Sequence, residues 1–436
     1  MDLERFDAAA AARALALVAP RADDLAEIYL EDVAWIELPP ADENVGFRQR
    51  REHGLAARLV RGERAWSASR DELSGAALTG ALRSVARSLP PTLPEPAGEP
   101  VGSVPPPPVD DVLAFPGRLE RALRRRLVAF PLRLAVRWHE RRVRVVGTRT
   151  ATPVEHERFG SLEAATPWGS CGILVGALDD AAAELLAERL ARRFRSRDAP
   201  PPPPGHPPLL LESTAAAVML HESVAHALES DLLAASGHPG AAEGVRLGTG
   251  DLDVLDDPAS APAGAARSVD DEGVPVLRRW LLRGGAVAQP IADQRAARRW
   301  PTLLPGNGFR ADRHAPPLPR THHLELLAGG ASIERLHELA EGGLAIAEID
   351  AGGLDPVSGR LWLEVPGARR IRGGAPAEPV GRFRLRGRVG ELLGGVVGIG
   401  SERRGAGAGW CAKGGQRKPV WATVPALVVV GLEVSP

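Results

Sequence analysis

LLLESTAAAVMLHESVAHALESDLLAAS, residues 209–236, decides how the chain is read. Leu209–Leu211 make a short apolar strand, and Ser213 or Thr214 offers a side-chain oxygen to cap a helix that begins at once. That helix carries His221-Glu222-Ser223-Val224-Ala225-His226 directly after the apolar run Val218-Met219-Leu220, so its polar residues abut a core. Two imidazoles and a carboxylate on one helix are the donor set of a hydrolytic zinc site. Neutral ring nitrogens bind Zn²⁺, and the carboxylate takes a proton from the attacking water. The spacing is unusual. In the common zincin pattern the histidines are four apart and share a face. Here they are five apart, which puts them about 140° apart on an ideal α-helix. Both reach one ion only if the helix contains a π-type turn, a distortion that favours functional sites. The bland alternative is two unrelated histidines, one buried and hydrogen-bonded, one exposed. Glu229 argues against it. Three residues after His226 and on its face, Glu229 can orient that imidazole from behind or bind the ion itself.

A catalytic zinc site with one open position needs a third protein ligand. Cys411 is the candidate, with a small buried hydrophobe as the plain alternative. It lies in Gly407-Ala408-Gly409-Trp410-Cys411-Ala412-Lys413-Gly414-Gly415-Gln416. This reads as a Gly-rich loop, where glycines let the backbone bend close around a site. Lys413 nearby would favour the thiolate. Cys171, in Trp168-Gly169-Ser170-Cys171-Gly172, has no His or Glu neighbours of this kind and reads as structural.

Two proline clusters, at 89–108 and 199–208, cannot lie inside a helix or a central strand and set module borders. They divide the chain into an N-terminal α/β region, 1–198, and a β-rich domain, 209–436. Within the first, sub-segments 1–88 and 109–198 are joined by a Pro-rich linker. The first sub-segment predicts a helix over 8–18 and a strand over 27–38. A hairpin follows over 56–60 and 65–69, around Arg61-Gly62-Glu63, and then a helix from Asp71. The second predicts a helix over 109–128, a hairpin over 132–138 and 141–148, and a helix over 179–195. Arg133, Arg137, Arg141, Arg142 and Arg144 read as the solvated face of a sheet, with a nucleic-acid stripe as the other option. After the histidine helix the chain is rich in Gly, Val and Leu with repeated turn signals, and its last strand falls at 426–432. The fold class is α+β, with the C-terminal, mostly antiparallel β half carrying the metal-binding helix.

Composition limits the rest. The 436 residues are 44% hydrophobic and 25% charged, which excludes a disordered or collagen-like chain. Lys and Arg number 54 against 55 Asp and Glu, so the net charge of −1 gives no global field for nucleic acid or an anionic membrane. Two cysteines exclude a disulfide framework and favour a reducing, cytoplasmic compartment. No stretch approaches roughly 18 uninterrupted apolar residues, so no membrane span is expected. The N-terminus has acids ahead of an Ala-rich stretch and reads as a helix, not a signal peptide.

His221-Glu222-Ser223-Val224-Ala225-His226-Ala227-Leu228-Glu229-Ser230-Asp231 resembles the HExxxH motif, with its trailing Leu-Glu-x-Asp, of the TldD/PmbA family of metallopeptidases. Cys411-Ala412-Lys413-Gly414-Gly415-Gln416 is similar to that family's Cys-Gly-Lys-x-Gly-Gln segment. Val269-Asp270-Asp271-Glu272-Gly273-Val274-Pro275 resembles its Asp-Asp-Glu-Gly-x-Pro element, and Pro305-Gly306-Asn307-Gly308-Phe309-Arg310 its Gly-Asn-Gly-Arg stretch. Gly54-Leu55-Ala56-Ala57-Arg58 and Gly62-Glu63-Arg64-Ala65-Trp66 look like its N-terminal hairpin. The likeness runs in order through most of the chain and is weakest over 89–208. It implies that His221, His226 and Cys411 hold Zn²⁺. Glu222 would be the general base and then the general acid for the leaving amine. The chain would be the motif-bearing, TldD-like type. The family acts on flexible or unfolded peptides as a homodimer or as a heterodimer with a PmbA/TldE-like paralogue. Such peptides can add as an extra strand beside a sheet. Three departures stand out. Ala225 and Ala412 occupy family Gly positions, and Thr321-His322-His323 replaces Thr-Asn-Thr. His322 and His323 either line the cleft and donate in the transition state or are plain surface or loop residues. Two other functions stand beside the peptidase. One is a non-cleaving, zinc-retaining binding or regulatory subunit, against which Glu222 argues. The other is a DNA gyrase modulator, which the neutral charge and lack of a DNA-binding motif do not support.

Overall fold

The first half is built around one strand. In β1, Leu25–Leu38, Ala26, Ile28 and Leu30 point to one face and Glu27, Tyr29 and Glu31 to the other. All six are buried, so both faces are covered. In the computed structural model the described residues are all but 1, 2, 4, 5, 22, 44, 45, 63, 87–107, 128, 129, 149, 150, 237–242 and 263. There β1 joins β2 (Arg48–Arg61), β3 (Arg64–Arg70), β4 (Arg133–Gly147), β5 (Glu155–Thr166) and β6 (Gly169–Val175). They form a six-stranded antiparallel sheet in the order β3-β2-β1-β4-β5-β6. Helices α1 (Ala8–Val18) and α2 (Gly75–Val85) cover one end of its apolar face, and α3 (Val109–Arg124) and α4 (Asp180–Ser196) the other. Each fully buried leucine there contributes about 1.5–3 kcal/mol.

Local expectations are corrected at several points. The helix expected from Asp71 begins at Gly75, because Ser74 accepts from Ala77 N at 3.0 Å as the cap, while Asp71 is held by Arg313 at 2.7 Å. The hairpin expected over 132–148 is a single strand, β4, paired with β1 on one side and β5 on the other. Nothing between Trp138 and Arg141 is a turn-forming residue, so the chain runs straight through. Arg141 and Arg142 on this strand are 8% exposed, neither solvated nor available as a stripe. The linker expected over 89–108 lies, apart from Pro108, outside the described residues, as do Glu63 of the expected turn and Val128.

Among the described residues, the second half forms a ten-stranded, mostly antiparallel sheet and a four-stranded sheet. Leu209–Leu211 lies in the larger sheet between Leu344–Ile346 and Gln416–Val429. The strand expected over 426–432 is the tail of Gln416–Val429, which forms a long hairpin with Val396–Lys413. The smaller sheet runs Ala351–Leu354, Arg360–Val365, Phe383–Arg388, Glu433–Ser435, so Ala351–Leu354 is an edge strand. The histidine helix starts at Ser213 and packs between the long hairpin and that edge strand. Its N-cap is Glu212, without a side-chain cap bond, so neither Ser213 nor Thr214 is the cap. No described helix is long and apolar enough to cross a membrane.

The polar face of the first sheet meets the second half through buried charge. Arg58 lies 3.2 Å from Glu27 and 2.5 Å from Glu272, and Arg310 also reaches Glu27. Arg141 pairs with Glu31 at 3.1 Å and with Asp271 at 3.2 Å. Asp270 accepts backbone N–H groups from Glu272, Val274 and Gly308 at 2.8–2.9 Å. A side chain at Gly308 would come within 2.6 Å of Glu272 Cγ, which explains the glycine. The Asp-Asp-Glu-Gly and Gly-Asn-Gly-x-Arg stretches thus join the two halves. Burial pushes Glu272 up to about 8 against the pull of Arg58, with Asp293 and Glu27 adding to the rise. Folded, Glu272 keeps a proton that the unfolded chain releases near 4.5. Its ionisation therefore opposes folding in that window. The unfolding free energy of the wild type is expected to fall relative to that of Glu272→Gln as pH rises through the window, then level off. Chemical denaturation at successive pH values reads this, and a pH-independent difference between the two chains would contradict it.

Candidate metal centre

The helix runs α-helically from Ser213 to Leu220, passes through one π turn over His221–Ala225 and resumes over His226–Leu228. In that turn His226 N–H donates to the His221 carbonyl, a bond that skips one residue more than an α-helix allows. The extra residue brings both imidazoles to one side, with ring centroids 4.6 Å apart. Ser223 Oγ donates to Met219 O at 2.8 Å, a side-chain bond of the kind that bends helices. The helix then breaks at Glu229, whose ψ of 124° is extended.

Cys411 reaches the histidines from a strand, not from a loop. It lies on Val396–Lys413 opposite Lys418, and the turn comes after it. The register slips between Gly407 and Gly409, and Gly409 takes a φ of 104° that favours glycine. Such bulges bend a strand and re-aim its side chains. Cys411 Sγ sits 3.0 Å from His226 Nε2. One donor atom from each of His221, His226 and Cys411 lies within 4.8 Å of the others. Cys171 is elsewhere, buried on β6, with burial pushing its thiol up to about 11.

Glu229 holds this group from behind. It accepts from His226 Nδ1 at 2.7 Å and from Lys413 Nζ at 2.9 Å, and Arg320 Nε lies 3.4 Å away. Burial alone would raise Glu229, but the charges on His226 and Lys413 hold it well below the usual carboxylate range. Lys413 also bonds Asp231 at 2.9 Å and Pro319 O at 2.8 Å, which anchors its ammonium beside Glu229. His322 and His323 are loop residues, as one of the two readings had it, and neither lines the cleft; His322 is half-buried. His322 Nε2 bonds Gly306 O at 2.7 Å, and His323, 2% exposed, bonds Thr423 at 2.9 Å.

The three donors fit a metal ion. Both ring nitrogens of His221 are buried without a hydrogen-bond partner, a costly state for polar atoms. Burial, reinforced by the charges of His226 and Arg320, holds His221 well below its ordinary value, in the neutral form a metal requires. The cluster opens on a cleft of about 420 Å³, bordered by Glu222, the stretch Ile349–Leu354 and Trp410–Lys413. Burial raises Glu222 above the usual carboxylate value, against a pull from His226. The edge strand was not found from sequence. Its signal was the pair Gly352-Gly353, since glycine inside a strand often marks a close approach. Three larger cavities, about 760, 510 and 430 Å³, run beside α4. Charges in the first two pair with one another, Arg192 with Glu188 at 2.6 Å and Arg193 with Glu348 at 3.1 Å.

A family model described as the PmbA/TldA metallopeptidase C-terminal domain matches residues 204–436. The chain is 25% identical over 224 residues to a metalloprotease TldD homolog of Buchnera aphidicola subsp. Acyrthosiphon pisum, an alignment covering 50% of this chain and 46% of that one. It is 30% identical over 211 residues to a metalloprotease of Methanothermobacter thermautotrophicus, covering 47% of this chain and 44% of that one. The matches thus take in about half the length of these curated relatives. In fold, the chain is similar to the crystal structure of TldE from Thermococcus kodakarensis. The TM-score is 0.69 and the identity 19%, covering 95% of this chain and 97% of that one.

A methyl group at Gly352 would lie 2.6 Å from Glu222 Cγ and 2.9 Å from Leu363 Cδ2. Gly352→Ala is therefore expected to displace Glu222 and to cost ~1–3 kcal/mol of stability as overpacking. Denaturant unfolding measures the loss, and an unchanged midpoint would show that the cleft wall yields freely.

Proposed function

Since the chain belongs to the PmbA/TldD family of metallopeptidases, we propose that it is a zinc-dependent peptidase that hydrolyses flexible or unfolded peptides. The observation that carries this reading is the joint placement of three groups at one cleft. They are the His221–His226–Cys411 cluster, the buried carboxylate of Glu222, and the edge strand Ala351–Leu354.

His221 Nδ1 or Nε2, His226 Nε2 and Cys411 Sγ would hold the ion. When bound, zinc supplies Lewis-acid polarisation of the scissile carbonyl and activates a water for attack. The chain's own residues do the remaining work. Glu222 takes the proton of the attacking water on its carboxylate and passes it to the leaving nitrogen. The environment that raises its pKa makes it a stronger base than a solvated carboxylate. Glu229 accepts from His226 Nδ1, which fixes the ring's orientation and leaves Nε2 facing Cys411.

The peptide would lie along Ala351–Leu354 as an added strand. A sheet edge offers unpaired backbone groups that recognise an extended chain with little demand on its side chains. The same reading gives the protein a dimeric assembly, with itself or with a PmbA/TldE-like paralogue. It also places the protein in the cytoplasm, where the free Cys171 and Cys411 stay reduced.

Zinc content by elemental analysis, on protein purified without chelator, tests the centre. About one zinc per chain is expected, lost in His221→Ala and much reduced in Cys411→Ser. Glu222→Gln should keep the zinc and lower peptide turnover by a factor of ~100 or more. Turnover retained in Glu222→Gln would remove Glu222 as the base. Zinc without any turnover in the wild type would favour the non-cleaving subunit.

A further inference from the structure

A second, smaller pocket opens beside the metal cleft. It measures about 240 Å³. Its wall includes Leu232, Leu233, Val245, Leu247, Leu354 and Pro356, and none of its lining residues carries a charge or a hydrogen-bonding side chain. Leu232 and Leu354 line both the pocket and the metal cleft, so the two spaces share a wall. Leu354 is also the last residue of the edge strand.

We propose that this pocket is a side-chain subsite of the cleft and that it selects a large aliphatic or aromatic residue in the peptide bound there. The inference rests on the reading of the cleft as a peptide site and adds to it a substrate class. Three observations carry it. The pocket is continuous with the cleft through two residues. It lies at the end of the strand along which a peptide would be laid. Its walls are apolar throughout, and they reach solvent, with Val245 46% exposed and Leu232 half-buried.

In an added strand every second side chain points to the same side. A residue of the peptide level with Leu354 therefore has this pocket within reach. The volume is larger than the ~150 Å³ apolar cavity that admits a benzene ring, so leucine, methionine or phenylalanine can enter. A charged side chain would lose its hydration without finding a partner. Hydrophobic pockets discriminate by about 10–200-fold for a single methylene. The step from leucine to aspartate is larger than that.

The test is a binding measurement that does not depend on cleavage. The full chain carrying Glu222→Gln, loaded with zinc, is titrated into two fluorescent octapeptides. Each has an Ala/Ser/Gly background, with a single central leucine in one and aspartate in the other. Anisotropy gives the affinities. The leucine peptide should bind at least about tenfold more tightly. Val245→Asp and Leu233→Asp, each added separately to Glu222→Gln, should abolish the preference, chiefly by weakening the leucine peptide. Val245 is exposed enough for its variant to fold, which circular dichroism checks. Equal affinities, no binding of either peptide at millimolar concentration, or a preference that survives both substitutions would overturn the subsite. Failure of the peptidase reading shows separately, as zinc-loaded wild type that cuts no peptide.

Discussion

One buried carboxylate ties the site together. Glu229 is fully buried, and an isolated charge there would cost several kcal/mol to desolvate. It is kept ionised by three cationic or donor groups from three parts of the chain. His226 comes from its own helix, Lys413 from the end of the long strand, and Arg320 from the segment after Leu318–Pro319. Each of these groups is itself poorly exposed, so each depends on Glu229 in turn. The strand that brings Lys413 also brings Cys411, two residues earlier. Anchoring Lys413 to Glu229 therefore fixes how closely Cys411 approaches His226. The helix break at Glu229 follows from the same demand. A continued α-helix would hold residue 229 to the helical path, whereas the extended ψ releases its side chain toward the other two partners.

The N-terminal half reaches the cleft without lending a donor to it. Its sheet is apolar toward its helices and ionic toward the second half, so the interface is specified by matched charges. Buried ion pairs of this sort stabilise weakly against an apolar alternative, but removing one partner strands the other. Arg58, Glu27 and Arg310 form one such set, with Glu272 hydrogen-bonded to Arg58, and Arg141, Glu31 and Asp271 belong to another that also takes in Arg267 and Arg313. Trp410 links this interface to the chemistry. Its indole N–H bonds Ser161 on β5 at 3.2 Å and its ring meets Phe159 edge-on, while the same side chain borders the metal cleft. A shift of the first sheet would therefore move one wall of the cleft.

Much of this was legible in the sequence wherever a local rule was strong. The helix over 8–18, the strand through residues 27–38 and the short strand Leu209–Leu211 follow from periodicity and flanking residues. The five-residue spacing of His221 and His226 demanded a π turn, and the helix has one there. What failed depended on partners far away in sequence. Arg141 and Arg142 looked like a solvated face because their acids lie on another strand and on a loop more than a hundred residues distant. Gly407–Gly409 and Gly414-Gly415 suggested a loop around Cys411. Only the latter pair makes a turn, and the former bulges a strand whose pairing no local signal reveals. The bond from Lys413 to Glu229, 184 residues away, had no local signal either. His322 and His323 do lie in a loop, but what buries them there, the Gly306 carbonyl and Thr423, is also remote in sequence.

The edge strand explains why such a cleft would discriminate by conformation before it discriminates by sequence. Ala351–Leu354 has one neighbour in its sheet, Arg360–Val365, and its other side borders the metal cleft. To pair with it, a substrate must present several consecutive backbone N–H and C=O groups that are not already bonded. Folded proteins satisfy nearly all of theirs internally, so only an extended or unfolded segment qualifies. The two glycines keep this strand close to the helix. A side chain at Gly352 would strike Glu222, and one at Gly353 would strike Trp362. Proximity of the bound backbone to Glu222 and an apolar pocket at the end of the strand are then two parts of one constraint. The glycines would set how near a bound peptide lies, and the pocket beyond Leu354 would set its register along the strand.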